Sequence, residues 1–177
     1  MNLEQFLTDI RREFSRLRQL ADGAISQVSE NDVFDSMNED ASNSIAVIMK
    51  HLAGNMRSRW RDFLTSDGEK PDRHRDMEFE ITDTDDYDSI QEQWETGWKI
   101  LTDTLKDLTQ ADLSKTVTIR GEPLLVYQAL LRQLSHYAYH VGQIVFLAKH
   151  FTGDAWQSLS IPKGESEAFN RNPKKYL

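Results

Sequence analysis

The residues best suited to chemistry are two histidines one helical turn apart. His136 and His140 stand in Ser135-His136-Tyr137-Ala138-Tyr139-His140. Side chains at i and i+4 share a helix face, so both imidazoles can reach one ion. The pair lacks the Glu of the zincin HExxH motif, so it brings no general base of its own. On the pair alone, metal ligation and ordinary core packing both stay open. The chain has no Cys. A disulfide, a thiolate zinc site, a catalytic thiol and an iron–sulfur cluster are therefore excluded. Any transition metal must be held by His and carboxylate.

Three observations favour ligation. The pair lies in the most apolar segment of the chain, where unpaired imidazoles would cost free energy. At about 100° per residue its face also carries Ala129, Gln133, Gln143 and Leu147. That is a mostly apolar wall with two amides able to orient the rings. A third imidazole, His51, falls near the middle of another helical stretch. His51 lies roughly 140° from the centre of its own apolar stripe, on a face with Ser44, Val47, Ile48, Asn55 and Ser58. It is either a partly exposed histidine or part of a face bordering an internal polar pocket, and periodicity does not choose.

Other groups read as ordinary surface. His74 sits between Arg73 and Arg75 in a polar stretch. His150 ends its helix, where an imidazolium suits the negative dipole end, and it is ten residues from His140. Arg59 and Arg61 flank Trp60, solvated by default, with an anion pocket as the alternative. Asp40, Asp62 and Glu92 are the carboxylates considered as a general base, with nothing to rank them.

The elements that must position these groups are helical. Leu3, Phe6, Leu7, Ile10, Phe14, Leu17, Ala21, Ala24, Ile25 and Val28 hold one stripe for about seven turns. Residues 29–43 lose the period and read as a loop. A second helix starts near Ser42–Ser44, a capping hydroxyl or amide, and stops near Ser66-Asp67-Gly68. Its stripe is Ile45, Ile48, Met49, Leu52, Met56, Trp60, Phe63 and Leu64. A polar stretch over 66–86 is long enough to be a lid, a binding loop or disordered. The third helix carries Tyr87, Ile90, Trp94, Trp98, Leu101, Leu105 and Leu108 as a core seam, and its tryptophans, like Trp60, read as packing. Thr116–Ile119 before Gly121 allows a short strand or hairpin. Pro123 suits the first turn of a fourth helix over 123–151, stopped by Gly153. That helix is apolar nearly all round, so burial on more than one side is expected. Trp156, Leu159, Ile161 and Phe169 anchor a tail that folds back, and Asn170 to Leu177 should fray.

Composition sets the frame. At 177 residues the chain reads as a single domain spanning 1–177. With 8 Phe, 5 Tyr and 4 Trp it has too much apolar surface for a disordered chain. A net charge of −8 argues against a nucleic-acid role. No stretch approaches ~18 apolar residues and the N-terminus lacks a signal-peptide pattern. No membrane association and a cytoplasmic location are expected. The four long helices, one long connection and the tail predict an all-α four-helix bundle.

The segment Ser44-Ile45-Ala46-Val47-Ile48-Met49-Lys50-His51-Leu52-Ala53-Gly54-Asn55, with His136-x3-His140-Val141-Gly142-Gln143, resembles the DinB/YfiT-like superfamily. Arg59 to Leu64, Asp67 to Pro71, and Trp156-x2-Leu159-Ser160-Ile161-Pro162-Lys163-Gly164 resemble one uncharacterised bacterial branch of it. The resemblance spans nearly the whole chain. It implies an up-down-down-up bundle holding a divalent ion, usually zinc or nickel, on His51, His136 and His140. It also implies a homodimer and a small-molecule substrate. Its activities include thiol S-transfer, a mycothiol-dependent isomerisation and hydrolysis. A thiol would have to be a low-molecular-weight cofactor, since the chain has none. The alternative is a non-catalytic metal-binding or stress-associated bundle.

Overall fold

The computed structural model describes residues 2–38 and 42–173. Among them are six α-helices: α1 (Leu3–Ile25), α2 (Glu30–Phe34), α3 (Ile45–Trp60), α4 (Tyr87–Asp107), α5 (Val126–Thr152) and α6 (Ser166–Arg171). Strands β1 (Thr116–Ile119) and β2 (Glu122–Leu125) form one antiparallel hairpin. The expectation of a mostly helical chain holds. The long helices pair as α1 on α5 and α3 on α4, and the pairs meet through α3–α5 and α1–α4 contacts. Their buried faces make one contiguous apolar core.

Asn2 opens α1, its Oδ1 accepting the Glu4 and Gln5 N–H groups. Leu7, Ile10, Phe14, Leu17, Ala21 and Ala24 are buried at the spacing of three and four that one helix face requires. The helix ends at Ile25, a turn short of the expected Val28. Residues 29–43, expected to be a loop, contain α2. Ser29 Oγ accepts the Asp32 N–H and nucleates that short turn.

Ser44 caps α3 by accepting the Val47 N–H at 3.2 Å. The helix stops at Trp60, earlier than the expected 66–68. Asp62 takes a left-handed φ of 50°, which no α-helix can continue through. The Trp60 carbonyl instead accepts Thr104 Oγ1 at 3.0 Å. Nearly all of α3 is buried, including Ser44, Val47, His51, Asn55 and Ser58, the face that periodicity left undecided. On α4, Ile90, Trp94, Trp98, Leu101 and Leu105 are buried as the seam predicts. Gly97 lets α4 approach α3 closely: a Cβ there would lie 3.0 Å from the Ala53 Cα.

The expected hairpin is present. Its turn residues Arg120 and Gly121 both have positive φ, 58° and 76°, the backbone that suits a tight two-residue hairpin turn. Pro123 lies in β2, opposite Thr118, and not in the first turn of α5. A two-stranded sheet has only edge strands, where a missing N–H is tolerated. Expected burial of α5 on more than one side is also corrected. Leu131, Tyr139 and Phe146 are exposed along it, and a Cβ on Gly142 would meet nothing within 4 Å. The tail folds back as expected. Leu159 lies over Gly23, and the Gln157 N–H donates to Gln27 Oε1 at 2.8 Å. Asn170 and Arg171 belong to α6, while 174–177 of the expected frayed end lie outside the described residues.

The Gly97 contact makes a prediction of definite sign. Helix propensity alone would make Gly97→Ala more stable by about 1 kcal/mol. Overpacking against the α3 backbone should instead lower stability by about 1–2 kcal/mol, read from the urea midpoint. A raised midpoint would contradict the contact.

Candidate metal centre

His51, near the middle of α3, meets His136 and His140 of α5. One ring nitrogen from each lies within 4.8 Å of the others. The rings stand edge to face, with centroids 4.9–5.5 Å apart. His51 and His140 are buried and His136 is half-buried. A tetrahedral zinc with ligands at 2.0–2.1 Å would bring its nitrogens to about 3.4 Å from each other. The Nε2 atoms of His51 and His136 are already 3.5 Å apart.

Hydrogen bonds fix which nitrogens carry lone pairs. Glu78 Oε2 lies 2.9 Å from His51 Nδ1. Arg73 grips the same carboxyl with Nε and Nη2, each at 2.8 Å. Burial opposes ionisation of Glu78, but the Arg73 and His51 partners outweigh it and hold its pKa below the usual value. An ionised carboxylate only accepts, so His51 donates through Nδ1, which in the neutral ring leaves the lone pair on Nε2. In the same way His140 Nδ1 donates to Gln143 Oε1 at 2.8 Å. Among the described residues His140 Nε2 is then a buried acceptor with no partner. Burial drives the His136 pKa down to about 3, helped by the neighbouring histidines and by Arg59 and Arg73. Burial likewise lowers His140 to about 4, against the raising effect of Gln143. Both are neutral at neutral pH, the form a metal needs.

The rest of the environment is rigid and polar. Gln133 and Tyr137 both donate to Asn55 Oδ1, at 2.8 and 3.0 Å, and Trp60 Nε1 donates to the Tyr137 hydroxyl at 2.9 Å. This network ties α3 to α5 beside the histidines. Burial raises the Tyr137 pKa to about 12, so it stays a neutral phenol. Glu78 itself sits on a 3-10 turn, Arg75–Phe79, within the 61–86 connection, which packs on α3. Gly54 makes room for it: a Cβ there would fall 2.3 Å from Glu78 Oε1. The connection expected to be a lid, binding loop or disordered is thus ordered and packed on α3. A cavity of about 190 Å³ borders His51, His136, Gln133 and Tyr139, and five arginines also line it.

The sequence expectations separate cleanly here. The three implied histidines come together. His74 and His150 are exposed and stand outside the cluster. Gln143 orients a ring, whereas Gln133 serves the Asn55–Tyr137 network. Arg61 stays on the surface, paired with Asp72. Arg59, solvated by default, is buried and lines the cavity. Of the candidate bases, Asp40 lies outside the described residues. Asp62 is exposed on the turn after α3, and Glu92 lines a separate groove with Arg57 and Gly97. Sequence reasoning missed Glu78 and Arg73. Their one local signal is the i, i+5 spacing of opposite charges within a loop, which many solvated loops share.

A larger cavity of about 450 Å³ lies between α1 and α4. It holds none of the histidines, and its arginines are already engaged. Arg11 donates to the Leu105 and Leu108 carbonyls at the end of α4, and Arg18 pairs with Asp22 and Glu95. The smaller, polar cavity is therefore the one beside the histidine cluster.

Asp67 positions one side of that cavity. Its oxygens accept the Glu69, Arg120 and Gly121 N–H groups at 2.7–2.8 Å, locking the hairpin tip and Arg120 in place. Partial burial opposes its ionisation, but these donors prevail and the pKa is lowered from 3.8. A depressed folded pKa means the stabilisation is present above about pH 4 and is lost as pH falls below it. Asp67→Asn should cost about 1–3 kcal/mol at pH 7, and the gap from wild type should narrow below pH 4. Urea midpoints from pH 3 to 7 measure it, and a gap independent of pH would contradict the assignment.

Comparison with curated proteins and with solved structures returned no match. A family model does match, over residues 2–165, and its description is a protein of unknown function. By that match, covering nearly all of its length, the chain belongs to the family DUF1572.

Proposed function

We propose that the chain is a DinB-like metal-dependent enzyme acting on a small molecule, with zinc or nickel held by His51, His136 and His140. The observation that carries this is the buried, unpartnered Nε2 of His140, beside a His51 whose Nε2 is also left as an acceptor. Buried acceptors facing one another are costly unless a cation lies among them. The DinB-type bundle is supported by the pairing of α1, α3, α4 and α5 around one core. The up-down-down-up path is supported by the connection over 61–86, which is long enough to run back along α3, about 24 Å in length.

His51, His136 and His140 would hold the divalent ion, which would supply the acidity to ionise a water or thiol at neutral pH. The chain's own groups do the rest. Glu78 and Gln143 hold the rings in one tautomer and one orientation, and the Asn55–Gln133–Tyr137 network keeps α3 and α5 in register. The cavity beside His51 and His136 favours an enzyme over a closed structural site, which would have no such access. With no Cys in the chain, a transferred thiol comes from a small cofactor. Hydrolysis is the other reaction the site suits. The homodimer implied by the resemblance draws support from the exposed Leu131, Tyr139 and Phe146 on α5.

Protein purified without a nickel column should carry about one ion per chain by elemental mass spectrometry, as a three-His site requires. His51→Ala and His140→Ala should lose it and His150→Ala should keep it. Equal metal in all three variants, or none in wild type after reconstitution, would overturn the assignment. Chelation should also lower the melting temperature, because an ion bound only to the folded state adds RT ln(1 + [L]/Kd) to stability. Phe146→Asp should shift sedimentation toward the monomer, and an unchanged dimer would exclude that face.

A further inference from the structure

Five arginines line the cavity that borders His51 and His136. They converge from distant parts of the chain: Arg59 from α3, Arg73 and Arg75 from the connection, Arg120 from the hairpin tip, Arg132 from α5. Two buried or half-buried carboxylates answer them. Glu69 accepts from Arg59, Arg73 and Arg120, at 2.9, 3.4 and 3.1 Å. Glu78 is taken by Arg73 and His51. Among the described residues Arg75 pairs only with the exposed Asp76, at 3.6 Å, and lies 4.9 Å above the Phe79 ring. Among the described residues Arg132 has no carboxylate partner.

This surplus of positive charge sits inside a chain whose net charge is −8. Clustered guanidiniums repel, and a cleft lined by one sign of charge concentrates counter-ions. We propose that the cavity binds the oxyanion group of a small-molecule substrate, a carboxylate or a phosphate, on Arg75 and Arg132. These two forks are free of buried partners, and a guanidinium matches either oxyanion with paired N–H donors. At about 190 Å³ the cavity is smaller than the ~300–1,000 Å³ of sites that enclose a drug-sized ligand. It takes the charged end, and the remainder of the molecule lies toward the histidines. That the remainder meets a metal ion rests on the function proposed above. Capture of the anion by the arginines does not.

The test titrates sodium phosphate and sodium citrate into the full chain as purified, by calorimetry, against sodium chloride at matched ionic strength. At least one should bind saturably, and which one does separates a phosphate from a carboxylate source. Arg75→Gln with Arg132→Gln should weaken that binding at least tenfold while leaving the melting temperature near wild type. Arg12→Gln with Arg16→Gln on α1, an equal change of charge, should have no effect. His140→Ala removes a histidine but no arginine, so it should still bind the anion. Loss in His140→Ala with retention in the Arg75/Arg132 pair would overturn the arginine assignment and leave the metal reading standing. Equal weakening by both arginine pairs, or no anion binding in wild type, would overturn it too. Duplex DNA binding that the Arg75/Arg132 pair abolishes would replace the small molecule with a polynucleotide.

Discussion

One buried carboxylate, Glu78, ties the histidine cluster to the long connection. Glu78 links Arg73 to His51, and removing Arg73 would strand the carboxylate's charge away from water. Breaking such a link is far costlier than its net contribution suggests, because the remaining partner is left uncompensated. The link also joins two kinds of structure, since His51 belongs to a core helix and Glu78 to a long connection. Gly54 is the physical condition for their meeting, because a side chain there would occupy the volume of the carboxylate. A connection of this length would ordinarily be mobile. Here it is drawn onto α3 by the Glu78 pairings, by the buried Lys70 and by the Asp67 bonds to the hairpin.

Much of the fold was legible in the sequence because its helices are amphipathic. α1 and α4 each bury one stripe, and stripe residues such as Phe14 and Trp98 lie where the period places them. Legibility fails where burial is two-sided or the backbone turns. α3 is buried on its polar face too, so periodicity saw only half of its environment. The apolar pattern also outruns the helix end, because Phe63 remains buried on the turn after it, past the helical hydrogen bonds. The local preference of Pro123 fits the first turn of a helix. The pairing of β2 with β1, a contact between segments, overrode that preference.

The site divides along the same line. His136 and His140 are adjacent on one helix, so their proximity follows from the helical repeat. His51 joins them through packing of α3 on α5, for which the chain offered only a resemblance and a plausible face. Glu78, Arg73 and Arg75 come from a segment without periodicity. Nothing local distinguishes them from solvated loop charges, and only the folded path brings them to the cavity. Arg59 illustrates the point from the other side. It lies beside Arg61 in sequence, yet one is buried against Glu69 and the other faces solvent with Asp72.

The two ingredients of the site thus have separate origins along the chain. The helices, whose spacing is fixed by contacts such as Gly97 on Ala53, hold the histidines and tolerate little variation. Most of the charged lining, by contrast, is supplied by the connection and the hairpin tip, which lie outside the helical core. Related chains could therefore vary that border while the three histidines stay in place. The freedom has one limit built into it. Glu78 lies in the same border as Arg73 and Arg75, so a rewrite that discards it also releases His51 from its orientation. Variation of the border is thereby tethered, at one residue, to the orientation of His51.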